Sequence, residues 1–159
     1  MLPETEMQHV RRSIELAREA LEAGDEPFGS VLVDSSGTVR AEDHNRVSGG
    51  DDTRHPEFDL ARWAAANLTP EERASATVYT SGEHCPMCAA GHALVGLGRI
   101  VYATSGQQTL SWAAEFGAPE PSVRVMSIQQ VAPNVPVEGP VPEVSDEVRE
   151  LHRRFYIGG

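Results

Sequence analysis

The sequence predicts an α/β protein, a three-layer α/β/α sandwich built on a mixed five-stranded sheet. Apolar segments typical of strands are separated by segments whose apolar residues recur at three- and four-residue steps, as in helices. The link between the fourth and fifth predicted strands, residues 104–122, is long enough for a helical crossover, so that pair is expected to be parallel. At 159 residues the chain fits one domain, and we predict that residues 1–159 form it.

A helix and a hairpin are predicted first. Residues 4–23 place an apolar face at helical spacing, and Gly24 ends that helix. Residues 28–34 and 38–43 are predicted strands, joined by a tight turn at Ser35-Ser36-Gly37. A polar loop then leads into the second helix.

The later elements follow from the same signals of apolar period, proline and glycine. Four prolines make one stretch near the carboxyl end an extended connection rather than a regular element. In order, the predictions are a helix at 56–67, a helical turn from Thr69, a strand at 76–80, a helix at 86–97, a strand at 99–103, a helix at 107–117, a strand at 123–128, the extended connection at 129–143 and a C-terminal helix at 144–156.

The charge balance argues against a nucleic-acid partner. The chain has 24 acidic and 13 basic side chains, a formal net charge of −11, and no basic patch beyond Arg153-Arg154. Such a surface repels phosphate backbones. No run approaches the ~20 apolar residues of a membrane span, and the acidic start is unlike a signal peptide, so a cytoplasmic protein without a membrane partner is expected.

A candidate metal motif dominates the middle of the chain. The two cysteines, Cys85 and Cys88, stand two residues apart at a predicted helix start, and His55 lies thirty residues upstream. Two thiolates and one imidazole would hold one Zn²⁺ per chain and leave its fourth position for water, the layout of a catalytic site. Glu57, beside the histidine, would then move protons to and from that water.

Proline supports this geometry at both helix starts. His55 precedes Pro56 and Cys85 precedes Pro86, and proline is favoured at the first helical position because its missing N–H costs nothing there. Residues two apart face different sides of a helix interior. At a helix start, by contrast, His55 and Glu57 can approach the same site.

Two other interpretations of the cysteine motif are open at this point. C-P-x-C after a strand is also typical of thioredoxin-like redox centres. A purely structural zinc site is the second alternative, closed by His84 or His92 as a fourth ligand. His9 and His152 are expected at the surface.

The stretch around the cysteines carries a resemblance. Residues 77–88, T-V-Y-T-S-G-E-H-C-P-M-C, are similar to the T-L-Y-T-S-C-E-P-C-P-M-C of zinc-dependent deaminases, and residues 26–33 resemble the P-F-G-A-V-I-V strand of guanine deaminases. H-x-E with P-C-x-x-C is the signature of zinc nucleobase deaminases. The chain thus resembles the cytidine deaminase-like superfamily, the zinc-dependent nucleobase and nucleoside deaminases, and is closest in pattern to guanine deaminase. Asn45, ten residues before His55, matches an asparagine that in this family hydrogen-bonds the substrate.

The resemblance has departures. Pro56 stands where the family usually has alanine, and Asp59 where many relatives have a neutral residue. Gly82 replaces a common cysteine and His84 a proline.

Six residues are expected to contact or border the substrate by this resemblance. Phe28 would stack on the ring or lie in the core, and Trp112 and Glu115 follow the fourth strand, where guanine deaminases carry acidic pocket residues; a solvated helix face is the alternative for Glu115. Tyr156 lies on a tail that resembles a C-terminal lid, with simple tail packing as the alternative. The six are Asn45, Phe28, Pro56, Trp112, Glu115 and Tyr156.

The resemblance implies hydrolytic deamination of a free nucleobase or nucleoside with release of ammonia, guanine being favoured. Cytosine, cytidine and guanosine stay open as substrates, followed by tRNA adenosine, which would require a basic groove, and by a non-catalytic zinc-stabilised scaffold. The small residues of 89–93 would let another backbone approach closely, so a homodimer packed near the cysteine helix is expected.

Overall fold

Helices and strands alternate along most of the chain, and the computed structural model describes them for residues 1–158. Two single 3₁₀ turns, Val47–Gly49 and Pro142–Val144, lie in the connections. The regular elements, in chain order, are α1 (Glu4–Glu22), β1 (Gly29–Val33), β2 (Val39–His44), α2 (Pro56–Asn67), α3 (Pro70–Ser75), β3 (Thr77–Gly82), α4 (Pro86–Leu94), β4 (Arg99–Thr104), α5 (Gly106–Glu115), α6 (Ile128–Val131), β5 (Val137–Glu138) and α7 (Ser145–Ile157).

The strands form one mixed sheet in the order β2-β1-β3-β4-β5. β1 pairs antiparallel with both β2 and β3, whereas β3 with β4 and β4 with β5 are parallel. The predicted α/β class, the mixed five-stranded sheet and the parallel fourth and fifth strands are confirmed.

Alternate strand residues face opposite layers of helices. Val31 and Val33 join the apolar cluster formed with α1, α5 and α7, while Leu32 between them joins the cluster formed with α2. In β3, Tyr79 and Val78 divide in the same way. Because side chains of a strand alternate between its two faces, this division places the sheet between two helical layers.

The fifth strand lies at a different place from the predicted one. Residues 123–128 contain no strand; Ser127 caps α6 in a reciprocal capping box with Gln130, and the N–H of Ile128 donates to Glu83 Oε2 at 2.9 Å. The local capping box and this long-range bond to Glu83 together begin a helical turn where alternating apolar residues resembled a strand. The expectation of a wholly extended 129–143 is corrected as well, because that stretch contains most of α6 and the two-residue edge strand β5.

α1 illustrates how the helices combine apolar and charged faces. Its buried residues include Val10, Ile14 and Ala17, while Arg12 on the opposite side forms ion pairs with Glu15 and Glu42. Among residues 1–158, no helix combines the length and the apolar character that a membrane crossing requires.

Candidate active site

Two helix starts converge beyond the carboxyl end of β3. His55 is the N-cap of α2 with Pro56 in its first turn, and Cys85 is the N-cap of α4 followed by Pro86. Both cap residues have extended backbone angles, as an N-cap requires. The sequence therefore brings both motifs to one point through local helix-start chemistry.

Three ligand atoms form a nearly equilateral triangle at this point. His55 Nδ1, Cys85 Sγ and Cys88 Sγ are 3.6 Å apart in each pair. Zinc–sulfur bonds of about 2.3 Å and zinc–nitrogen bonds of about 2.0–2.1 Å give tetrahedral edges of about 3.5–3.8 Å, so the triangle fits one face of a tetrahedral zinc site. Among the histidine, cysteine and acidic side chains of residues 1–158, these three form the one cluster whose ligand atoms lie close enough together to hold a metal ion.

Contacts among these ligands favour a thiolate at Cys85, whereas hydrogen bonding with Cys85 and burial raise the pKa of Cys88. Hydrogen bonding with Cys88 and with His55 lowers the pKa of Cys85 to about 4. Hydrogen bonding with Cys85 raises the pKa of His55 to about 9. A thiolate is the form of cysteine that binds zinc.

Glu57 lies beside the triangle and is almost completely buried, with 6% of its surface exposed. Its Oε2 lies 3.7 Å from Cys88 Sγ, and its Oε1 accepts a hydrogen bond of 3.0 Å from Thr80 Oγ1. Burial raises the pKa of Glu57 to about 7. A carboxyl group with a pKa near neutrality can both accept and deliver a proton.

Thr80 is a functional candidate that sequence reasoning missed. It lies in β3 with no exposed surface, and its hydroxyl accepts a 2.9 Å hydrogen bond from Ser30 Oγ on the paired strand β1. The Thr80 hydroxyl, which also lies 3.0 Å from the Gly82 carbonyl oxygen, links Ser30 to Glu57 and holds the carboxylate against the sheet. The available sequence signal was two consecutive hydroxyl residues, Thr80 and Ser81, near the end of the strand that leads to the cysteine motif.

His84 and His92 are not part of the ligand triangle. Their rings pack edge to face with centroids 5.4 Å apart, and His92 Nε2 lies 2.7 Å from the Gly98 carbonyl oxygen. Burial lowers the pKa of both residues, that of His92 to about 4, so both are neutral at physiological pH. The triangle thus lacks the fourth protein ligand that a closed structural site would need, within the described residues.

Asn45 and Phe28 lie near this centre. Asn45 is 1% exposed, and its Nδ2 donates to Glu26 Oε1 at 3.3 Å. Phe28 packs over Gly82, where an added Cβ would lie 2.9 Å from the ring atom Cε1. The departure at Gly82 therefore has a steric reason, because the Phe28 ring occupies the space of a larger side chain.

The other departures from the family pattern are also accommodated. Pro56 is buried in the first turn of α2. Asp59 accepts a 3.0 Å ion-pair hydrogen bond from Arg54, so its negative charge has a partner outside the metal triangle.

The remaining predicted substrate residues divide between core and surface. Trp112 belongs to the core, with its ring 5.7 Å from that of His152. Tyr156 is half-buried on α7, where burial and nearby Glu26 raise its pKa. Glu115 lies on the exposed face of α5 and pairs with Arg149 at 2.7 Å, an arrangement that matches the alternative of a solvated helix face.

His152 also differs from its expectation. It is 1% exposed, not a surface residue, and packs edge to face against Phe28 at 5.1 Å. The apolar face of α7 carries it inward, and burial lowers its pKa to about 4.

Comparisons with known proteins agree with this site. Residues 3–104 match the family described as the cytidine and deoxycytidylate deaminase zinc-binding region. A probable cytosine deaminase of Schizosaccharomyces pombe is 28% identical over 159 residues, covering 99% of this chain and 96% of that protein. The guanine deaminase of Bacillus subtilis is 38% identical over 81 residues, which are 50% of this chain and 51% of that protein.

A solved structure shows the same fold. The guanine deaminase from Nitrosomonas europaea superimposes with a TM-score of 0.70 at 21% identity, over 94% of this chain and 83% of that one. The fold is therefore cytidine deaminase-like. The family match assigns the cysteine motif, with His55, to zinc binding rather than to a redox centre. This chain belongs to the cytidine and deoxycytidylate deaminase zinc-binding family and is a zinc-dependent deaminase.

Proposed function

We propose that residues 1–159 form a single deaminase domain that acts on a small free nucleobase. Water replaces the amino group on a ring carbon, which gives a carbonyl product and ammonia. The observation that carries the proposal is the buried Glu57 carboxyl beside the triangle of His55, Cys85 and Cys88.

His55, Cys85 and Cys88 would hold the metal, and their donor set suits zinc. Zinc held in this way lowers the pKa of a coordinated water toward ~7 and so supplies a nucleophile at neutral pH. The chain's own part is to position the base and to move protons.

Glu57 is the proton carrier in this proposal. Its carboxylate accepts a proton from the attacking water and delivers it to the ring nitrogen next to the amino-bearing carbon. The second proton of the water passes through the same carboxyl group to the amino group, which then leaves as ammonia. Thr80 holds one carboxylate oxygen, at 3.0 Å, while Glu57 does this.

Replacing Thr80 by valine should slow turnover while zinc stays bound. The near-isosteric change removes the hydroxyl that donates to Glu57 and leaves Ser30 Oγ without that acceptor. We expect kcat to fall by about 10-fold, with a loss of about 1–3 kcal/mol in stability. Thr77→Val on the same strand is the matched control, and an unchanged kcat in Thr80→Val would contradict the positioning role.

The charge of the protein supports a small substrate without phosphate groups. The formal net charge is −11, and Asp25 and Asp52 lie close enough to Glu26 to raise its pKa. These negative charges disfavour nucleotides and tRNA, whose phosphates they would repel.

Guanine and cytosine are the two candidate bases. The similarity to a guanine deaminase over half of the chain supports guanine, the substrate favoured from sequence. Glu115, which pairs with Arg149, adds no support. The similarity to a probable cytosine deaminase over 99% of the chain supports cytosine.

The test is ammonia release by the zinc-loaded protein from a panel of guanine, cytosine, adenine, guanosine, cytidine, dCMP and an adenosine-containing tRNA anticodon stem. Rapid release from guanine or cytosine is expected. Release from the tRNA stem or dCMP alone would contradict the proposal for a free base.

We also propose that the chain forms a homodimer through α4. Leu94 is 86% exposed there, and Ala93 and Leu97 border a groove of about 420 Å³ lined largely by apolar residues. Gly91, expected to allow a partner backbone to approach, instead makes room within the chain. The Phe58 ring of α2 packs 3.0 Å from the position that a Cβ of Gly91 would occupy.

The dimer should dissociate when a charge is placed on this surface. We expect Leu94→Glu to convert a dimer into a monomer in sedimentation at micromolar concentration, since a charge opposes burial of the apolar patch. Val39→Glu, at another exposed apolar position, should leave the dimer intact. A monomeric wild type would refute the proposal.

A further inference from the structure

Glu26 is an acidic residue near the active site to which neither the metal centre nor the proton transfer assigns a role. It lies in the bend between α1 and β1 and is partly buried. Its Oε1 accepts the 3.3 Å hydrogen bond from Asn45 Nδ2, and Tyr156 of α7 lies near enough for the Glu26 charge to raise the pKa of the phenol. The charge of Glu26 also acts on the metal ligand His55.

The surroundings of Glu26 are unfavourable for a carboxylate. Burial raises the pKa of Glu26, His55 and the hydrogen bond from Asn45 lower it, and the charges of Asp52 and Asp25 add smaller raising effects, so that the pKa is raised overall. Within residues 1–158, no arginine forms an ion pair with it. A partly buried carboxylate without an arginine partner costs stability, and such groups are concentrated at functional sites.

The hydrogen bonds of Asn45 fix the direction of its amide. Asn45 Oδ1 accepts a 3.1 Å bond from the N–H of Val47, so Nδ2 points toward Glu26. An amide nitrogen carries two hydrogens, and one of them is used on Glu26. The second N–H of Asn45 and the Oε2 of Glu26 have no hydrogen-bond partner among the described residues. A donor and an acceptor therefore stand side by side.

We propose that Glu26, held beside the asparagine that the resemblance already assigns to the substrate, accepts the ring N–H of a lactam edge, in which a ring C=O lies next to a ring N–H. This inference rests on the proposed function and narrows its substrate class. Cytosine has such an edge at O2 and N1–H, and guanine has one at O6 and N1–H. Cytidine lacks it, because its N1 carries the sugar.

The experiment compares each base with its N1-methyl derivative. Calorimetry measures the binding of cytosine, 1-methylcytosine, guanine and 1-methylguanine to zinc-loaded protein carrying Glu57→Gln, so that no turnover occurs. The same ligands serve as substrates for protein with Glu57 intact. Glu26→Gln is the test variant, because its amide can present an N–H group to the substrate N–H in place of an acceptor. Asp52→Asn is the control, because it removes a nearby negative charge but no proposed contact.

For at least one of the two bases, protein with Glu26 intact should bind the unmethylated base more tightly than the N1-methyl derivative, by about 10²-fold or more. A site built to accept an N–H rejects an analogue that lacks it. Glu26→Gln should reduce this ratio to less than about 10-fold, and Asp52→Asn should preserve it. Zinc content should stay at one per chain in all variants.

The outcomes separate this inference from the proposed function. An unchanged ratio in Glu26→Gln, or a protein with wild-type Glu26 that binds both members of each pair equally, would overturn the role of Glu26 even if ammonia is released. The comparison of each base with its methyl derivative uses protein with Glu26 intact. Equal binding there would therefore overturn the role of Glu26 even if Glu26→Gln does not fold. Selective binding that depends on Glu26, without ammonia release from any base, would support the inference and refute the deamination of free bases.

Discussion

Glu57→Gln should lower the rate of ammonia release by about 10²–10⁴-fold or more while zinc stays bound. The change keeps the shape of the side chain and its oxygen for Thr80 Oγ1 but removes the group that accepts and delivers protons. Because His55, Cys85 and Cys88 are untouched, the metal content should stay at one zinc per chain. Ammonia release and zinc content, measured on the same samples, check the result.

Glu71→Gln is the matched control for this variant. Glu71 follows Pro70 at the start of α3, just as Glu57 follows Pro56 at the start of α2, but it is exposed and is not among the side chains placed to hold the metal. It should retain wild-type activity. Turnover by Glu57→Gln within 10-fold of wild type would contradict the proton-carrying role, and loss of zinc would instead indicate a structural role for the carboxylate.

Gly29→Ala should destabilise the protein by about 3 kcal/mol or more, although it adds a single methyl group. A Cβ at Gly29 would lie 2.5 Å from Leu16 Cβ and 2.7 Å from Ala17 N, and it would also meet the Ser13 carbonyl oxygen. These atoms belong to α1, most of them to its backbone, so the helix would have to move away from β1. Thermal unfolding should show a fall in Tm of about 6–12 °C.

Gly49→Ala provides the control for the glycine substitution. Gly49 has no other atom within 4 Å of its Cβ position and no positive φ, so alanine should be tolerated. If both variants have the same Tm as the wild type, the close packing of α1 on β1 is not the constraint inferred. If Gly29→Ala loses both stability and activity, the shift of β1 has reached Ser30 and, through it, Thr80.

Local chemistry explains what the sequence could predict. The bounds of α2, residues 56–67, were predicted as observed, because proline at the helix start and the apolar run that follows are both local signals. The zinc ligands were found for the same reason, since two short motifs, each at a helix start, contain all three.

Long-range contacts explain what was missed. Thr80 acquires its role from Glu57 and Ser30, and Glu26 from Asn45, and none of these pairs is close in sequence. The predicted strand at 123–128 was wrong. The prediction used only the alternation of apolar residues, which cannot reveal that the Ile128 N–H donates to Glu83, forty-five positions away. Tertiary partners of this kind are invisible to a periodicity argument.

The most direct test of the zinc-dependent deaminase is the dependence of its rate on metal content. Protein stripped with a chelator would be reloaded with zinc in steps, and ammonia release from guanine and cytosine would be measured at each zinc-to-protein ratio. The account predicts a rate that rises in proportion to zinc, saturates at one zinc per chain, and is absent from Glu57→Gln at the same zinc content. Turnover by the stripped protein, or none from either base at full loading, would contradict it.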